Sequence, residues 1–123
     1  MIQARNIDFT TLPGNYSTSE IDTGYTWIDG KKIYKKTIDF GALPNSSDKS
    51  VAHGISGLNV VILMTGYTRQ PSNGRTRPLP PMTKTPADLL DIYTEGANVT
   101  IRTNNDWSPY TETYITLYYT KSS

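Results

Sequence analysis

The only unbroken run of five large apolar residues in the chain, Val60 to Met64, sits inside the stretch Leu58 to Tyr67. It is far shorter than the roughly 20 apolar residues needed to span a bilayer. Its two Val and one Ile are stiff at χ1 and favour an extended chain. Gly57 and Gly66 bracket it and leave no room for a helix of ordinary length. The pattern predicts a strand covered on both faces, central in its sheet.

Elsewhere apolar and polar positions alternate. Tyr25 and Trp27 lie on one extended segment, followed by Asp29-Gly30, a dipeptide suited to a tight hairpin turn. The return segment, Lys31 to Phe40, places Tyr34, Ile38 and Phe40 on one face and Lys35, Thr37 and Asp39 on the other. Lys31, Lys32, Lys35 and Lys36 read as a solvated basic face that discourages edge pairing. Arg69 to Pro86 reads as a long basic loop, because Pro78, Pro80 and Pro81 oppose helix and central strand alike. Leu89 to Thr94 is expected as a strand, with one helical turn over Ala87 to Tyr93 as the alternative. Glu95-Gly96-Ala97-Asn98 turns the chain into a strand where Val99, Ile101 and Thr103 alternate with Thr100 and Arg102. After a loop over Asn104 to Tyr110, the last strand runs from Thr113 to Thr120. Its Ile115, Leu117 and Tyr119 face one way. Tyr114, Thr116, Tyr118 and Thr120 face the other, a polar-aromatic surface suited to a partner chain. Met1 to Ser19 reads as an arm or connector, with a disordered terminus as the alternative.

Composition agrees with this all-β reading. Nine Tyr and many Thr suit pleated surfaces, while strong helix formers are scarce. The 123 residues suffice for one domain with one core. A net charge of +1 lacks the basic footprint of a nucleic-acid binder. The absence of cysteine excludes disulfides and thiolate metal sites. No apolar signal segment follows Met1, so the sequons at Asn15, Asn45 and Asn98 read as chance matches.

Little in the chain points to catalysis. His53 is the one histidine, too few for a metal site or a nucleophile triad, and reads as half-buried and bonded to backbone. Asp88 with Asp91, and Asp106 with Glu112, are the pairs to weigh as glycosidase carboxylates, and nothing marks either pair as buried. The chain is read as non-enzymatic, without metal or cofactor. Among binding aromatics, Trp27 is assigned to the core, since it lies on a strand just before a turn. Trp107 and Tyr110 stand in a loop with Asn105 and Asp106, where a flat ring beside amide and carboxylate groups can hold a sugar. The long basic loop adds Arg75 and Arg77 as candidate ligand-binding residues.

The series Gly24-Tyr25-Thr26-Trp27-Ile28-Asp29-Gly30-Lys31-Lys32-Ile33-Tyr34 through Asp39-Phe40-Gly41 carries a resemblance. It continues in Leu43-Pro44-Asn45, Val51-Ala52-His53-Gly54-Ile55 and Tyr114-Ile115-Thr116-Leu117-Tyr118-Tyr119-Thr120-Lys121. The series resembles a small domain at the C-terminal ends of bacteriophage tail fibres and related virion appendages. The resemblance covers about residues 17–121 and implies a β-sandwich; the chain is accordingly read as one antiparallel, jelly-roll-like β-sandwich over residues 20–123 behind a short arm over residues 1–19. It also implies location on the virion, homotrimer formation, contact with other virion proteins, and binding of host-surface polysaccharide or protein. Receptor preference would then reside in loops 69–86 and 104–110. The alternatives are a structural virion component that touches no receptor, and a depolymerase fragment.

Overall fold

The computed structural model describes residues 15–79 and 89–122. Among them are eight strands and no helix: β1 (Ile21–Thr26), β2 (Lys32–Asp39), β3 (Asp48–Ala52), β4 (Leu58–Gln70), β5 (Arg75–Leu79), β6 (Leu90–Glu95), β7 (Asn98–Thr103) and β8 (Glu112–Lys121). They form two antiparallel sheets, one ordered β1-β2-β8-β4-β5 and the other β3-β7-β6. The sheets face each other as a β-sandwich. Ile38, Phe40, Ile115, Leu117 and Tyr119 from the first meet Leu90, Val99 and Ile101 from the second, in one buried cluster. Each such side chain contributes about 1.5–3 kcal/mol by leaving water. The nesting of β2 beside β8 and β3 beside β7 is jelly-roll-like. The division into five and three strands departs from two equal sheets, because the β4–β5 hairpin stays within the larger one.

Several elements follow from local chemistry. Asp29-Gly30 closes the β1–β2 connection, with Gly30 at φ +85 and its N–H donating to the Trp27 carbonyl at 2.9 Å. The β6–β7 hairpin turns through Gly96 and Ala97 between the paired Glu95 and Asn98, so Leu90–Glu95 is strand rather than a helical turn. The many Thr are used in cross-strand hydroxyl pairs, Thr37 with Thr116 at 2.9 Å and Thr68 with Thr113 at 2.8 Å. His53 is buried; its Nε2 donates to the Gly96 carbonyl at 2.9 Å and its Nδ1 accepts from the Ile55 N–H at 3.0 Å.

Four expectations are corrected. The central strand of the larger sheet is β8, flanked by β2 and β4. The apolar run of β4 is half exposed, with Val60 at 49% and Leu63 at 52%. Two bulges against β8, between Leu58 and Val60 and between Val61 and Leu63, explain the misreading. Each bulge sets an extra residue on β4 against one on β8. Inward positions therefore fall three apart, at Leu58, Val61 and Met64, and these are the ones packed on the core. Alternation is lost from the sequence although one face of the strand is covered and the other is not.

The second correction concerns 69–86. Its first part is the β4–β5 hairpin, turning over 71–74, with Gln70 paired to Arg75 and Tyr67 to Pro78. Edge strands tolerate proline, and β5 is an edge. The rest of that stretch, with Pro80 and Pro81, lies outside the described residues, as do 1–14 of the expected arm. The third concerns the two tryptophans. Trp27 is 36% exposed at the hairpin turn, whereas Trp107 is 4% exposed and belongs to the core. The fourth is Lys35, which is buried, not part of a solvated face. It points outward from β2, but Tyr16 folds over it, with the ring centroid 4.1 Å from Nζ.

Candidate functional site

At one end of the sandwich the loop between β7 and β8 comes against β5. Three backbone bonds tie this loop to the β2–β3 connection, one of them from the Ser46 N–H to the Asn105 carbonyl at 2.8 Å. The Trp107 N–H donates to Pro44 at 3.1 Å, and the Leu43 N–H donates to Tyr110 at 3.0 Å. So anchored, the indole turns inward beside Tyr110, with ring centroids 5.4 Å apart. Asp106 closes the turn that aims it: Oδ1 accepts the Ser108 N–H at 2.9 Å and the Ser108 hydroxyl at 2.5 Å. The hydroxyl, then the N–H, hold this carboxyl below the usual Asp range, outweighing a small opposing effect of burial.

Across from the loop, β5 presents Arg75 and Arg77 on the same side, since successive side chains alternate. They pair with Gln70 and Thr68, and Thr68 bonds Thr113 inside the sandwich, so this is the inward side of the sheet. Along it, residue by residue, Arg75 is exposed, Arg77 half-buried and Leu79 buried. The Arg77 guanidinium carbon lies 4.9 Å from the Trp107 ring centroid, within cation–π range.

The result is an open recess of about 240 Å³. All six candidate residues line it: Arg75, Arg77, Asn105, Asp106, Trp107 and Tyr110. The roles of the aromatic pair differ from expectation. Trp107 and Tyr110 are wall and foundation, mostly sealed from solvent, while the polar groups form the accessible surface. Gln70 and Pro109 complete the lining and were missed by sequence reasoning. The alternation running back from Arg75 through the hairpin would have found Gln70. Arg69 points the other way, to Glu112 at 3.0 Å, so Glu112 is drawn to the opposite face from the recess. Asp91, on β6, is exposed and set against Arg102 of β7. Its suggested partner Asp88 lies outside the described residues.

A second surface is the outer face of the larger sheet. The polar-aromatic positions of β8 do face outward, beside Val60, Leu63, Thr65 and Tyr67 of β4. Tyr67 and Tyr114 rings stand 5.8 Å apart, and the Tyr16 and Tyr118 hydroxyls meet at 3.1 Å. Burial, then the Tyr16 hydroxyl, push Tyr118 up to about 12. Between them a groove of about 610 Å³ runs over Gly66, walled by Tyr16, Tyr67, Tyr114 and threonines. Tyr16 was missed because only a long-range contact places it there.

Among the described residues no cluster of His, Asp and Glu could hold a metal ion, and no helix is long and apolar enough to cross a membrane. The chain matches no protein-family model, and no curated protein or solved structure matches it.

Proposed function

We propose that this chain is a non-enzymatic, receptor-binding domain of a phage fibre tip, which holds a host-surface glycan in the recess at its open end. The observation that carries the reading is a convergence. Residues singled out as candidate ligand-binding groups in two separate stretches, 75–77 and 105–110, line one recess. Its accessible surface consists of amide, guanidinium and carboxylate groups, which match hydroxyl-rich ligands. Asp106 is the one carboxylate lining the recess among the described residues, and Glu112 is turned away to Arg69, so the pair of carboxylates that glycoside cleavage needs is not brought together there. The resemblance to fibre-tip domains fits the same reading, including a homotrimer on the virion.

Glycan-array binding tests it. Trp107 is the wrong residue to replace, because it supports the fold. Gln70→Ala with Asn105→Ala should abolish binding while the variant still folds cooperatively. Full retention of binding by the folded double variant would exclude this recess as the receptor site.

A second reading, a structural virion component without receptor, draws on the outer face, where Val60, Leu63 and Tyr67 are exposed. Both readings place a second copy of the chain, or another virion protein, on that face. Light scattering over a concentration series should give a stable trimer, and Leu63→Lys should dissociate it. A monomer at every concentration removes self-association from both readings.

A further inference from the structure

We propose that the recess selects an anionic saccharide, one bearing a carboxylate, and that Arg75 reads the charge. This rests on the recess being a glycan site, as proposed above. The inward side of a sandwich strand is ordinarily apolar, as Leu79 is. Arg75 and Arg77 break that rule at two successive inward positions, Arg75 exposed and Arg77 half-buried. Among the described residues two guanidiniums and one carboxylate, Asp106, line the recess. That carboxylate already receives two bonds from Ser108 on Oδ1. Arg69 and Glu112 neutralise each other at 3.0 Å on the outer face and leave the balance unchanged. Arg75 thus brings an exposed positive charge to the recess, in a chain whose net charge is only +1.

The two arginines have different tasks. Arg77 is held against the Trp107 ring at 4.9 Å, which fixes one positive charge in the wall. Arg75 stands exposed at the rim, next to the turn. Its planar fork can close on a carboxylate with two parallel N–H···O bonds. Gln70, Asn105 and Asp106 then meet ring hydroxyls on the neighbouring sides. A neutral sugar would leave the cationic rim without a partner.

The test uses matched pairs of probes: polyuronate and sialylated oligosaccharides, and the same molecules with their carboxyl groups reduced to alcohols. Binding to the full chain is measured by calorimetry at low and at physiological salt. The acidic forms should bind about tenfold or more tightly than the reduced forms, a preference that salt weakens. Arg75→Gln should erase the preference. Lys32→Gln, which removes the same charge at the opposite end of the sandwich, should retain it. Equal binding of acidic and reduced forms, or an unchanged preference in Arg75→Gln, overturns the inference. If neutral glycans bind and the Gln70→Ala/Asn105→Ala variant loses them, the glycan site stands and only its anionic selectivity falls. If no saccharide of either kind is held, both readings fall.

Discussion

Replacing Tyr119 with Phe isolates one hydrogen bond in the middle of the fold. The ring is fully buried on the inward face of β8, stacked on Tyr34 at 6.1 Å. Its hydroxyl donates to Glu20 Oε1 at 2.6 Å, joining the start of the first hairpin to the last strand. That length is in the charge-assisted range, and a bond to a charged group contributes about 1.5–3 kcal/mol. The carboxylate keeps Lys121 on its other oxygen at 3.1 Å and remains partly exposed, so the lower end applies. The phenyl ring should keep all of its packing. Urea unfolding should show a loss of about 1.5 kcal/mol, with a midpoint lower by roughly 5 °C on heating. The variant should also change the alkaline limb. Burial, and then the Glu20 carboxylate, hold the Tyr119 phenol well above its ordinary range. The folded state therefore keeps a proton that the unfolded chain releases above about pH 10. With more protons bound in the folded state, stability falls as pH rises, by up to about 1.4 kcal/mol per pH unit for this group. Below pH 10 the contribution is fully present. The Phe variant should lose that part of the slope. A variant as stable as the parent at pH 7, with an unchanged alkaline slope, would refute both the bond strength and its linkage to pH.

Three further outcomes follow from packing and local bonding. In Gly66→Ala a Cβ would run into the Tyr114 carbonyl oxygen and come within 3.0 Å of Ile115 Cα, backbone that cannot yield without moving β8. A loss of about 2 kcal/mol or more is expected in urea unfolding, and a loss under about 0.5 kcal/mol would show that the strands can part there. Trp107→Ala should cost about 3–5 kcal/mol and Trp27→Ala about 1 kcal/mol or less, and the reverse order would contradict the placement of the two rings. In a carbon-detected carboxyl titration Asp106 should have its midpoint below that of an ordinary Asp, and Ser108→Ala should move it upward. An unmoved midpoint would mean that the serine hydroxyl does not hold the carboxylate.

The two hairpins with Asp29-Gly30 and Gly96-Ala97 turns, and the alternating face of β8, were legible because turn chemistry and period two are local signals. Three features were not, each for a physical reason. In β4 two bulges change the inward spacing from two to three, which turns an edge-side strand with one open face into an apparent buried run. In β5 the proline that argues against a strand occupies an edge position that accepts it. The tryptophans were exchanged because burial is decided at long range. Trp107 stands among Asn and Asp, yet backbone bonds to residues over sixty positions earlier pull its loop onto the core. Six of the eight residues lining the recess were singled out by their chemistry, while Gln70 and Pro109, the shape of the recess and the rings that seal it depend on contacts far apart in the chain.

The place of β8 has a consequence for how the molecule is made. The strand at the centre of the larger sheet follows all seven others in the chain. Until it arrives, β2 and β4 have nothing to pair with between them, and their inward residues face no finished core. Hairpins β1–β2, β4–β5 and β6–β7 can form early, but isolated two-stranded hairpins are marginal in water. Closure thus depends on contacts between residues such as Thr37 and Thr116, far apart in sequence. Such topology folds in milliseconds to seconds rather than microseconds. During synthesis the nascent chain would expose Leu58, Val61 and Met64 on the underside of β4 until β8 is inserted, a window in which a second copy or a chaperone competes for the same strand edge.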